Sequence, residues 1–197
     1  MSFIRREIIT AQQMWEDHMF PLIGRKIDVS SGYVDYDYYN CTLKFQTSAQ
    51  FRKQESIPMA AQLPHCRALD TAIRPHIHWY QQSATEPNWL LAYKVVRNGH
   101  TTTIETDYSN YTLSKKTKNI YTYSSGVLCQ ITAFDELNIS NLLPSDFIDF
   151  IFFRDSTNAS GLFSGPDSTG ITEHVKQFDI HYLSDTPGSG STTEYRK

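Results

Sequence analysis

Apolar and polar residues alternate with a period of two along much of this chain, the spacing of strands with one face buried. Asn40 to Gln46 places Leu43 and Phe45 on one face. Ser56 to Leu63 continues the pattern and contains Pro58, which predicts an edge strand or a bulge. Ala72 to Tyr80 sets Ile77 and Trp79 on one face and His76 and His78 on the other. Trp89 to Val96 is succeeded by the turn dipeptide Asn98-Gly99. Thr101 to Thr106 has β propensity through its threonines. Gly126 to Phe134 puts Val127, Cys129, Ile131 and Ala133 on one face. Asp146 to Arg154 (DFIDFIFFR) is a continuous apolar run, typical of a strand covered on both sides. Val175 to Leu183 turns Phe178, Ile180 and Tyr182 inward.

Only the start reads as helix. Thr10-Ala11-Gln12-Gln13 has capping-box spacing, Met14 to His18 could continue the turn, and Pro21 would end it. Residues 8–18 are therefore expected to form a short helix. About eight strands, no βαβ rhythm and no internal repeat predict an all-β fold. The expected architecture is an antiparallel β-sandwich or jelly roll with a short N-terminal helix. Residues 1–184 are read as one domain. Residues 185–197 (DTPGSGSTTEYRK) are read as a flexible C-terminal tail, and 155–170 as a long surface loop.

Composition narrows the chemistry. The chain has 197 residues, enough for a core without disulfides. Eighteen basic and 21 acidic residues leave a net charge of -3, so no phosphate-neutralising excess points to nucleic acid. No apolar run has the length of a membrane-spanning helix, and MSFIRREIITAQQ lacks the apolar region of a secretory leader. Cys41, Cys66 and Cys129 are odd in number and far apart. They are expected to be reduced, mostly buried thiols, of a protein made in a cytosol. Four Asn-x-Ser/Thr sites carry no weight without a leader. Neither a G-x-S-x-G elbow nor a glycine-rich phosphate loop occurs, and Cys66 beside His65 would point away from it on a strand. No catalytic residue is assigned.

The strongest candidate chemistry is metal binding. His76 and His78 share a strand face, as do Asp179 and His181 on the last strand. If those strands are neighbours, the four could converge on a transition-metal ion, as in a cupin-like barrel with enzymatic or carbohydrate-binding activity. A cupin-like motif would place a glutamate shortly after the histidine pair, and Glu86 is out of register. The competing reading is a polar patch between sheets or subunits. Tyr33, Tyr36, Tyr38 and Tyr39 flank Asp35 and Asp37 in an expected loop or edge, a composition that suits a protein interface.

Several ordered segments carry a resemblance. They are Trp15-Glu16-Asp17 with Phe20-Pro21; Pro64-His65; Pro75-His76-Ile77-His78-Trp79; Trp89 to Lys94; Phe153-Arg154-Asp155; and Phe178-Asp179-Ile180-His181-Tyr182. In these the chain resembles a family of tailed-bacteriophage virion structural proteins, whose relatives often carry a further histidine where Arg74 stands here. The resemblance implies a virion component without established enzymatic activity. It also implies a homo-oligomer, with a trimer favoured, attached to the neck, tail or capsid surface. Its partners would be other virion proteins, and it would be assembled in the host cytoplasm. A cation at Arg74 argues against an ion on the same face.

Overall fold

The structure, a computed structural model, describes residues 14–21, 34–37, 39–45, 56–64, 67–68, 71–102, 104, 110–137, 139, 142–143, 145–167 and 170–184. None of these is helical. Ten strands succeed one another: β1 (Met14–Pro21), β2 (Val34–Asp37), β3 (Thr42–Phe45), β4 (Ser56–Gln62), β5 (Arg74–Gln81), β6 (Trp89–Val96), β7 (Thr112–Asn119), β8 (Leu128–Phe134), β9 (Phe147–Arg154) and β10 (Glu173–Ser184). All pairings are antiparallel, in one curled sheet of order β2-β3-β10-β5-β8-β7-β6-β9-β4, with β1 also pairing β10.

The pairings are nested. β6 pairs β7, β5 pairs β8, β4 pairs β9 and β3 pairs β10, as in one long hairpin folded about the β6–β7 connection. Three further pairings, β7–β8, β6–β9 and β5–β10, wind that hairpin up. The winding brings the two ends of the sheet together around one core. Phe45, Trp79, Phe178 and Ile180 from one half share a buried cluster with Ile57, Trp89, Phe150 and Phe152 from the other. Their rings interlock edge to face: Phe45 lies 5.5 Å from Trp89 and 5.2 Å from Phe152, and Trp79 lies 5.6 Å from Trp89. Each such fully buried side chain is worth about 1.5–3 kcal/mol of transfer free energy.

Alternation places most strands as their sequence predicts. β6 spans the expected residues, and Gly99 adopts φ +75 in the turn after it. β4 is an edge strand, which tolerates Pro58. β9 is covered on both sides: Phe150 and Phe152 join the main core, while Ile151 and Phe153 pack with Leu90 and Ala92 in a second cluster.

Other expectations are corrected. Residues 14–18 are strand rather than helix, because β1 pairs β10 residue for residue from Met14↔Ser184 to Pro21↔Gln177. A continuous ladder outweighs the weak preference of one capped turn. Residues 8–13 of the expected helix, and the tail 185–197, lie outside the described residues. Cys129, Ile131 and Ala133, the expected inner face of β8, turn outward, and the core side carries Gln130, Thr132 and Phe134. The two inward polar groups are both bonded: Thr132 Oγ1 accepts from Trp79 Nε1 at 2.7 Å, and Gln130 Nε2 donates to Gln81 Oε1 at 2.8 Å. Cys41 and Cys129 are exposed rather than buried, at a turn and on the outer face of β8, while Cys66 lies outside the described residues. Residues 101, 102 and 104 form no strand, and Ile104 is exposed. The 155–170 segment is not all surface: Asp155 is buried and ties Ala159 and Ser160 by hydrogen bonds, and Asp167 reaches inward to Arg154.

Candidate functional site

The central strands β5 and β10 bring the candidate residues together. Their register sets Asp179 opposite His76, Gln177 opposite His78 and His181 opposite Arg74. On the far side of β10, Asp17 of β1 lies opposite His181. Ile77, Trp79, Phe178 and Ile180 fill the core, so the intervening residues stand on the outer face. His76, His78, Asp179, His181 and Asp17 thus form one patch, continued on β8 by Ala133 and Ile131 opposite His76 and His78.

Asp179 is the hub. Its Oδ2 lies 2.9 Å from His78 Nε2 and 3.3 Å from His76 Nε2. Its Oδ1 accepts a 2.6 Å hydrogen bond from Gln177 Nε2, which fixes the carboxylate plane. Burial alone would raise this carboxyl's pKa. Hydrogen bonds from His76, His78 and Gln177, with the charge of His76, instead hold it well below the usual carboxylate range. The imidazoles also touch each other: ring centroids of His76 and His78 are 5.1 Å apart, and those of His76 and His181 4.3 Å. His181 Nε2 pairs with Asp17 Oδ1. Burial and the neighbouring His76 and Arg74 lower the His181 pKa, against the pull of Asp17 and Asp179.

Exposure grades across the patch. The side chains of Asp179 and His76 are nearly buried, His78 is 29% exposed and His181 40%. The cluster is therefore half-submerged, with His78 and His181 toward solvent. Two overlapping trios, His76–His78–Asp179 and Asp17–His76–His181, each keep their ligand atoms within 4.8 Å of one another. Arg74, the cation expected to oppose an ion here, donates from Nε to Glu136 Oε1 at 2.6 Å. Chemically the trio can act in two ways. With protons on both Nε2 atoms it is a hydrogen-bond network around one carboxylate; with those nitrogens unprotonated, two lone pairs and a carboxylate oxygen converge.

All four residues singled out in the sequence lie in this patch. Asp17 and Gln177 join it without having been singled out. Asp17 is hidden by the helical pattern of residues 8–18, and Gln177 faces the patch through its i, i+2 spacing to Asp179.

Two other charged groups flank the core. At the opposite end of β10, His174 Nδ1 lies 3.0 Å from Thr42 Oγ1 and 3.3 Å from Asp37, whose carboxylate also accepts hydrogen bonds from the Tyr39 and Asn40 backbones and the Asn40 side chain. Tyr39 of the tyrosine-rich segment is fully exposed beside the edge strand β2. Inside the fold, Arg154 Nε donates to Asp167 Oδ2 at 2.8 Å, and Arg154 Nη1 donates to the Phe45 and Ile171 carbonyls. Near them, the buried Glu173 carboxylate has no hydrogen-bond partner among the described residues, and burial pushes its pKa up to about 7.

Comparison of the chain with protein-family models, with curated proteins and with solved structures finds no match.

Proposed function

We propose that the protein is a non-catalytic structural component of a tailed-bacteriophage virion. In this reading it is a homo-oligomeric jelly roll, with a trimer favoured, assembled in the host cytoplasm with other virion proteins on the neck, tail or capsid surface. The observation that carries the reading is the strand order. The runs β3-β10-β5-β8 and β4-β9-β6-β7, built from nested antiparallel pairs, match the layout of an eight-strand jelly roll. Jelly rolls recur as viral capsid and lectin domains and as cupins. The segments carrying the phage resemblance add weight, because PHIHW and FDIHY are neighbouring strands and their outward residues form a single patch.

The cupin-like alternative shares the strand order and is favoured by the meeting of His76, His78 and Asp179. A small-substrate site in a barrel, however, sits within it or at its mouth. These residues stand on the face turned away from the core, so an enzyme or carbohydrate site there is the weaker reading.

Mass spectrometry of purified virions of the phage encoding the chain, with sedimentation of the isolated protein, tests the proposal. A virion-associated protein that sediments as a closed oligomer is expected. A protein missing from the particles and monomeric at about 100 μM, well above the affinity of stable interfaces, would refute it.

A further inference from the structure

The geometry points to a site for one divalent first-row transition-metal ion, Zn2+ in the first instance, held by His76 Nε2, His78 Nε2 and Asp179 Oδ2 on the outer face of β5 and β10. The inference does not depend on the virion reading, and binding is measured separately from assembly.

The ligand spacing fits. Two atoms bound to one zinc at about 2.0–2.1 Å lie about 2.9 Å apart at a right angle and about 3.4 Å apart at the tetrahedral angle. The two nitrogens stand 2.9 and 3.3 Å from the carboxylate oxygen, and all three atoms lie within 4.8 Å of one another, which places them within side-chain reach of one ion. The donors also suit the ion. Two imidazoles and one carboxylate form the mixed nitrogen–oxygen set that zinc and ferrous iron accept, and oxygen-seeking calcium or magnesium does not favour imidazole.

Surrounding groups hold the ligands in place. Gln177 Nε2 bonds the free carboxylate oxygen and aims the other at the histidines, the usual outer-shell arrangement. The His181 ring, paired with Asp17, lies 4.3 Å from that of His76 and limits its rotation. The backbone beneath is rigid, since β5 and β10 are both interior strands of the sheet. Arg74 repels the ion less than an isolated cation would, because its guanidinium engages Glu136. His78, the most exposed of the three, leaves one side of the ion open to solvent.

Titration of chelator-stripped, full-length protein with Zn2+ by calorimetry tests the site, with Co2+ absorption as a coordination readout. One equivalent per chain is expected, with a dissociation constant below about 1 μM. His78→Ala and Asp179→Asn should each weaken binding by more than about 100-fold, and Gln177→Ala by about 10–100-fold as an outer-shell loss. His174→Ala, at the far end of β10, should leave binding unchanged. Far-UV circular dichroism confirms folding, and His78→Gln replaces His78→Ala if the latter unfolds. Binding of less than about half an equivalent at 100 μM Zn2+ overturns the assignment. So does binding that folded His78 and Asp179 variants leave within about threefold of the parent.

Discussion

Glu173→Gln should stabilise this protein above neutral pH and leave it nearly unchanged at pH 4.5. Glu173 starts β10 opposite Phe45, fully buried, with both carboxylate oxygens lacking a hydrogen-bond partner among the described residues. The charges facing it are Arg154, Asp167 and Lys116. Arg154 favours the ionised form, but its guanidinium is committed to Asp167, and Lys116 is engaged with Glu86. Desolvation dominates, and the folded-state pKa rises from 4.5 to about 7. Well below pH 4.5 the carboxyl is protonated in both states and adds no ionisation cost. Between pH 4.5 and 7 the unfolded chain ionises first, so stability falls as pH rises and levels off above 7. The full difference corresponds to about 3 kcal/mol at pH 8, an upper value because the unfolded chain retains some structure. Glutamine keeps the shape without the charge, and its unbonded amide resembles the unbonded neutral carboxyl. Urea unfolding monitored by tryptophan fluorescence at pH 4.5 and pH 8 measures both proteins. The variant should gain about 2–3 kcal/mol on the parent at pH 8 and less than about 0.5 kcal/mol at pH 4.5. A variant less stable than the parent at pH 8, or a difference equal at the two pH values, would refute the reasoning.

Other substitutions probe separate parts of the fold. Asp167→Asn leaves the Arg154 guanidinium charged in an interior from which both side chains exclude water, and should cost about 3–5 kcal/mol by the same assay. Thr132→Val removes the acceptor of the buried Trp79 indole and should cost about 1–3 kcal/mol, with a change in the tryptophan emission. Phe152→Ala opens the core where three aromatic rings meet it, and thermal unfolding should show a loss of about 3–5 kcal/mol.

How much of the fold is legible in the sequence varies by element. β5, β6, β9 and β10 are readable because their apolar residues repeat at the strand period or run on without a break. β7 is not, since Thr-Leu-Ser-Lys-Lys-Thr-Lys-Asn has almost no apolar pattern; it is held by ladders to β6 and β8 on its two sides. β8 shows the opposite error. Cys129, Ile131 and Ala133 do alternate, but on the outer face, because the inward Gln130 and Thr132 find hydrogen-bond partners and so tolerate burial beside Phe134. The patch is half legible. His76 with His78, and Asp179 with His181, share faces by spacing alone. That the two pairs meet depends on the β5–β10 register, and the place of Asp17 depends on a strand whose sequence reads as helix.

The sequence by itself determined that strands dominate the described residues, which residues of β5, β6, β9 and β10 point together, and that two histidines and an Asp–His pair stand opposite apolar stripes. These come from the two-residue repeat of an extended backbone, a property of neighbours in the chain. Tertiary structure decided that β10 lies between β5 and β1, that Asp179 sits against His76 and that Glu173 is sealed inside. Those outcomes come from pairing strands roughly 100 to 160 residues apart, where closing the loop is offset only by the whole buried core, and no local pattern records which partner a strand will find.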